Sequence, residues 1–290
     1  MKFFDLHSDT ITECYSQNKS LTNNDLHISL ERGQYLEKWI QVFAIWIPDK
    51  IRGNDAEEYY EKILCKFREE IKNAHNVTPI LAVEGGAVLN GKLENVERLS
   101  RDGVKIITIT WKGDNELASG SFSETDKGLT PFGKEAVSEM VKYGIVPDVS
   151  HLGEKSFYDL CKFTDFPFIA SHSNAYSVNP HVRNLKDEQI KEIVRRKGLI
   201  GLNFYNTFLG EGNSQEMLIR HAEHILNLCG ENVLAMGSDF DGCSINPEIR
   251  GIEKMGSLYD CFCDHFGKTL TEKIFFENAE RYFNSQVFTK

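Results

Sequence analysis

Short apolar, β-branched runs recur along the whole chain, with polar stretches between them. They fall near Phe3–His7, Trp39–Ile47, Pro79–Glu84, Lys105–Trp111, Ile145–His151, Pro167–His172, Leu199–Tyr205 and Val233–Asp239. Their length and residue types predict strands. Most of the gaps carry apolar residues at three- and four-residue spacing. This predicts amphipathic helices, among them Ala56–Ala74, Pro131–Tyr143, Asp187–Arg196 and Ser214–Leu228. Thr130 before Pro131 reads as an N-cap with proline at the first helical position. Gly144 and Gly198 stand where helices stop. Strands this uniformly apolar suit burial on both faces, hence a parallel sheet. About eight such units predict one α/β domain over residues 1–290, a closed (β/α)8 TIM-like barrel. No Gly-rich turn follows the first strand, which disfavours a dinucleotide-binding sheet. Two long polar connections, 112–129 and 241–267, break the rhythm and predict functional lids.

Composition narrows the classes. Hydrophobic residues make up 41% and charged residues 26% of the 290, the balance of a soluble globular protein. The net charge of −10 and the lack of a basic stripe predict no nucleic-acid partner and no anionic membrane partner. The densest basic run, 191–197, also carries Glu192 and reads as the solvated face of a helix. Seven cysteines, an odd number with only one close pair, suit reduced thiols in a cytoplasmic protein. The start, MKFFDLHSDT, does not read as a signal peptide, and no apolar stretch is long enough to span a bilayer.

The chemistry sits at the predicted strand ends. The first run ends on His7 and Asp9, the third on Glu84, the fifth on His151, the sixth on His172 and the eighth on Asp239. In a barrel these ends converge on one mouth. Three of the nine histidines fall there, joined by three carboxylates; the other six fall in helices or loops. Imidazole and carboxylate donors suit zinc or a similar transition metal. His7 and Asp9, two apart on an extended segment, share a side. Six ligands exceed what one catalytic zinc takes, so two metals fit better, about 3.5–4 Å apart, with Glu84 as the natural bridge. Two weaker clusters are set aside. Cys261, Cys263 and His265 match no common zinc spacing, and His221 with His224 reads as a solvated helix face. No nucleophile elbow and no Walker loop occurs.

The motifs DLHSDT, AVEGG, DVSHL, SHSNAYSVNPHVRN and GSDFDG follow in order from residue 3 to about residue 242. With the intervening GLTPFGKEAVSEM and GLIGLNFY they resemble the membrane dipeptidase (renal dipeptidase) family of zinc peptidases, in a bacterial-type member. The resemblance implies an amidohydrolase-like barrel with two zinc ions. It implies hydrolysis of dipeptides, including those with a D-residue on the C-terminal side, by a hydroxide bridging the metals. It assigns His7, Asp9 and Asp239 to one zinc, His151 and His172 to the other, and Glu84 to both. Asp239 would be the general base and then acid. Arg183 would hold the substrate's free carboxylate, and Trp111 and Tyr205 would line the substrate site. A homodimer is implied on the same basis. One departure stands out. Animal members end the fourth strand in a substrate-contacting His, whereas TITW here puts Trp111 in its place, and an indole cannot shuttle a proton. That keeps open a second enzyme reading, an amidohydrolase-like enzyme for N-acyl amino acids or lactones. A third is a non-catalytic metal-binding barrel. The closing VFTK shows none of the hydrophobic tail of lipid-anchored animal members.

Overall fold

The computed structural model describes residues 1–285; the expectation about VFTK lies outside them. Seven parallel strands form one sheet: β1 (Lys2–Asp5), β2 (Lys38–Trp46), β3 (Thr78–Glu84), β4 (Val104–Thr108), β5 (Val146–Asp148), β6 (Ile200–Leu202) and β7 (Leu234–Met236). Their order is β5-β4-β3-β2-β1-β7-β6. The gap between the outer strands is filled by the segment around Ile169, which pairs with Asp148 of β5 on one side and, through Ala170, with Ile200 of β6 on the other. The ring therefore closes with eight segments.

The predicted strand Pro167–His172 is the one that shrinks most, and the reason is where its N–H groups go. Pro167 has none to donate. The amides of Ser171 and His172 donate to side chains, Asp148 Oδ1 at 2.9 Å and Ser150 Oγ at 3.1 Å, rather than to a neighbouring strand.

Helices α1 (Thr10–Ser16), α2 (Asn54–Glu70), α3 (Glu94–Asp102), α4 (Pro131–Lys142), α5 (Glu154–Phe163), α6 (Asp187–Arg195), α7 (Asn206–Leu209), α8 (Ser214–Cys229), α9 (Met255–Phe266), α10 (Lys268–Glu272) and α11 (Asn278–Ser285) accompany the strands. The four expected helices are present as α2, α4, α6 and α8. Thr130 caps α4, its side chain accepting from the Gly133 amide at 2.9 Å. Gly144 ends that helix with φ 69°. Gly198 works differently: the left-handed residue is Lys197 (φ 58°). Gly198 is small because a Cβ there would lie 2.1 Å from the Phe168 carbonyl oxygen.

Strand alternation divides the apolar side chains into two cores. Phe4, Ile40, Val42, Ala82, Ile106, Val146, Ile169, Leu199 and Ala235 gather inside the ring, joined by Phe276, Ala279 and Tyr282 from the chain's C-terminal helical segment. Phe3, Trp39, Phe43, Leu81 and Ile107 face outward into a second core with Ile63, Leu99 and Val137 of the helices. Tyr282 and Phe276 thus plug the bottom of the barrel. Its top is left to polar residues.

Neither long connection is a free lid. The 112–129 loop is pinned by Asn115, whose side chain donates to the Ile109 carbonyl at 2.7 Å. Asp126 caps the start of α5, accepting from the Lys155 amide at 2.6 Å and the Ser156 hydroxyl at 2.8 Å. Most of the second half of 241–267 is helix α9, which carries Cys261, Cys263 and His265. No helix among the described residues is long and apolar enough to cross a membrane.

Candidate metal centre

Of the six expected ligands only Glu84 is the last residue of its strand. His7 stands two residues past β1, His151 and Asp239 three past β5 and β7. Each side chain is turned inward by the loop that follows the strand. His151 and Asp239 do so from the left-handed region, with φ 72° and 61°, a conformation that non-glycine residues adopt at a cost and that clusters at functional sites.

All six are buried, and they meet. His7 Nε2 lies 3.5 Å from Asp9 Oδ2 and 3.8 Å from Glu84 Oε2. His151 Nε2 lies 2.8 Å and His172 Nε2 3.5 Å from Glu84 Oε1. The two oxygens of one carboxylate thus face two separate groups. Donor atoms of His7, Asp9 and Glu84 lie within 4.8 Å of one another, as do those of Glu84, His151 and His172, and of His7, His172 and Asp239.

The donors fit divalent cations. His7 Nε2, Asp9 Oδ1 and His172 Nε2 are buried without a hydrogen-bond partner among the described residues, and buried polar atoms of a native fold ordinarily have one. Burial pushes the Asp9 and Glu84 carboxyls up, with neighbouring carboxylates adding to the effect, and pushes the His151 and His172 imidazoles well down. Burial also works against a charged His7, but Glu84, Asp9 and Asp239 outweigh it and raise it to about 10. Three clustered carboxylates want positive charge, and bound cations are the largest local charges such a site can hold.

A shell of polar residues holds the donors. Asn203 Nδ2 donates to Asp239 Oδ2 at 2.9 Å. The His172 ring contacts Ser171 Oγ, which donates to Asp148 Oδ2. Gly242 matters by absence, since a Cβ there would lie 2.1 Å from Asp9 Oδ2 and 2.5 Å from Asp239 Oδ1. Sequence reading missed these residues, although Asp148, Ser171 and Asn203 were visible as polar residues beside otherwise apolar runs. His221, expected on a solvated helix face, is buried. Its Nδ1 accepts from the Ala175 amide at 3.2 Å and its Nε2 meets the Leu209 carbonyl at 3.0 Å. His224 is half-buried and pairs with Asp187 at 2.8 Å.

Two cavities open over the centre. One of about 510 Å³ is lined by Glu84, Asp239, Trp111 and Tyr205; the other, of about 410 Å³, is lined by Arg183, and His151 forms a wall of both. Arg183 is buried, and its Nε and Nη2 have no hydrogen-bond partner among the described residues. Its guanidinium lies 5.2 Å from the centre of the Phe208 ring. Burial lowers it to about 10, against the pull of Asp239 and Glu84. Trp111 packs edge-on against Trp46 at 4.7 Å.

A family model for membrane dipeptidase (Peptidase family M19) matches residues 1–287. An uncharacterized dipeptidase of Schizosaccharomyces pombe is 29% identical over 229 residues, which span 72% of this chain but only 55% of that protein. An uncharacterized Klebsiella pneumoniae protein from the pqqA 5′ region is 31% identical over 231 residues, 74% of this chain and 85% of its own. Among solved structures, a Rhodobacter sphaeroides metallo peptidase liganded with a phosphinate mimic of L-Ala-D-Ala superposes with TM-score 0.86 at 24% identity, covering 100% of this chain and 99% of its own.

Proposed function

Since this chain belongs to the membrane dipeptidase family, peptidase family M19, we propose that it is a two-zinc dipeptidase that hydrolyses the peptide bond of dipeptides, L,D-dipeptides included. The observation that carries the reading is the divided Glu84 carboxylate, Oε2 toward His7 and Oε1 toward His151 and His172. His7, Asp9 and Asp239 would hold one metal, His151 and His172 the other, and Glu84 both. When bound, the metals supply Lewis acidity for activating water and polarising the substrate carbonyl.

The remaining work falls to side chains. Asp239 takes a proton from the attacking water and returns it to the leaving amine, acting as base and then acid. Asn203 holds one of its oxygens, which fixes the direction of the other. Arg183 holds the substrate carboxylate with Nε and Nη2, which have no hydrogen-bond partner among the described residues, in a fork that suits bidentate binding. The substrate spans the wall at His151, from the Trp111 and Tyr205 side to the Arg183 side. Trp111 packs against it and takes no part in proton transfer. Seven cysteines without a disulfide support action in a reducing compartment, the cytoplasm.

The test is a panel of L-Ala-L-Ala, L-Ala-D-Ala, a tripeptide, an N-formyl amino acid and a lactone, each with and without a chelator. Dipeptides are expected to turn over, to stop with chelator and to resume with added zinc. Metal-loaded protein that cleaves only the N-formyl or lactone substrates would overturn the dipeptidase reading.

A further inference from the structure

We propose that Asp148 and Ser171 form a hydroxyl-relayed carboxylate–imidazole couple that sets the tautomer of His172 and aims its Nε2 at the metal centre. The inference rests on the reading of His172 as a metal ligand. Asp148 is fully buried at the end of β5. Its Oδ1 accepts from the backbone amides of Ser150 at 3.0 Å and Ser171 at 2.9 Å. Its Oδ2 accepts from the hydroxyls of Thr108 and Ser171, both at 2.6 Å. As a carboxylate, Asp148 accepts at both oxygens and has no hydrogen to give.

Proton counting then decides the ring. Ser171 has one hydroxyl hydrogen, and Asp148 takes it. The 2.7 Å contact between Ser171 Oγ and His172 Nδ1 therefore has Nδ1–H as donor. Nε2 is left with its lone pair. It is buried with no hydrogen-bond partner and lies 3.5 Å from Glu84 Oε1, the place for a cation between them. The Ser150 hydroxyl holds the His172 amide at 3.1 Å, so backbone and ring are fixed by the same strand end. His151 has no such support among the described residues, where its Nδ1 has no hydrogen-bond partner. Outer partners of this kind orient a ligand and raise its basicity. Asp148 and Ser171 are thus positioning residues and touch no reacting atom.

The experiment compares the wild type with Ser171→Ala and Thr108→Val. The His172 ring nitrogens are read by ¹⁵N NMR in metal-stripped protein, zinc affinity by chelator competition, and kcat at saturating zinc. The wild type is expected to carry the proton on Nδ1. Ser171→Ala is expected to lose that preference and to bind one of its two zinc ions about 10- to 100-fold more weakly, with kcat largely recovered when zinc saturates. Thr108→Val keeps the Ser171–Asp148 contact and is expected to behave as the wild type in tautomer and in zinc affinity. A wild-type His172 protonated on Nε2 overturns the relay without any variant. So does a Ser171→Ala protein with unchanged tautomer and zinc affinity, or a Thr108→Val protein as impaired as Ser171→Ala. A wild type that binds no metal would instead sink the reading of the centre, and the tautomer would still decide the relay.

Discussion

At the scale of single residues, chemistry depends on side chains forced into place. His151 and Asp239 sit in the left-handed region, and Gly242 leaves the room that Asp9 and Asp239 fill. Asp239→Asn keeps the shape but cannot accept a proton, so kcat should fall about 10²- to 10⁴-fold, checked by steady-state kinetics alongside metal content. Arg183→Met removes a charged clamp worth about 1.5–3 kcal/mol. The kcat/KM for free dipeptides should drop about 10- to 150-fold, while hydrolysis of a C-terminally amidated dipeptide stays as slow as in the wild type. Equal losses on both substrates would show that Arg183 does not read the carboxylate. The six buried residues that the fold gathers at the mouth could be picked out in the sequence because each lies near the end of an apolar run. Asn203, Ser171 and Asp148 were not assigned roles, because a second layer is defined by what it touches and not by what precedes it.

At the scale of elements, the loops over the mouth are tied to helices. Asp126 closes the start of α5 from a different part of the chain. Asp126→Ala should cost about 0.5–2 kcal/mol, the usual worth of a cap, and speed amide exchange in the 112–129 loop; unchanged exchange would mean the loop is held elsewhere. His221 on α8 ties the loop after His172 to the end of α7. Burial lowers it to about 4. The folded protein keeps it neutral where the unfolded chain, with its ordinary value near 6.5, has already taken up a proton. Its contribution is intact above about pH 6.5 and drains away as pH falls toward 4. Denaturant melts should show roughly 2 kcal/mol less stability at pH 5 than at pH 7.5 from this group. His221→Gln, which can both donate and accept, should flatten that slope. The spacing along α8 predicts a helix but not that its buried arc reaches His221. Spacing marks which residues share a face, and only packing shows how far the buried arc extends.

At the scale of the whole molecule, the barrel joins an apolar interior, plugged from below by Phe276 and Tyr282, to a mouth of clustered charge. Carboxylates buried together repel, and divalent cations relieve that repulsion. Stripping the metals with a chelator should lower Tm by several degrees, reversibly on adding zinc, since a ligand at 1,000 times its Kd adds about 4 kcal/mol. An unchanged Tm in a chain shown to bind metal would mean the centre is not coupled to folding. What the sequence by itself determined is the repeating strand and helix rhythm, the barrel it implies, and six imidazole and carboxylate side chains at the ends of apolar runs. Those are local properties of pattern and residue type. Only the tertiary structure decided that Glu84 faces both groups, that Arg183 lies across the His151 wall, and that Asp148 reaches His172 through Ser171. Each depends on distances between segments far apart in the chain, and those are set when the ring closes around Ile169 and brings strand ends together.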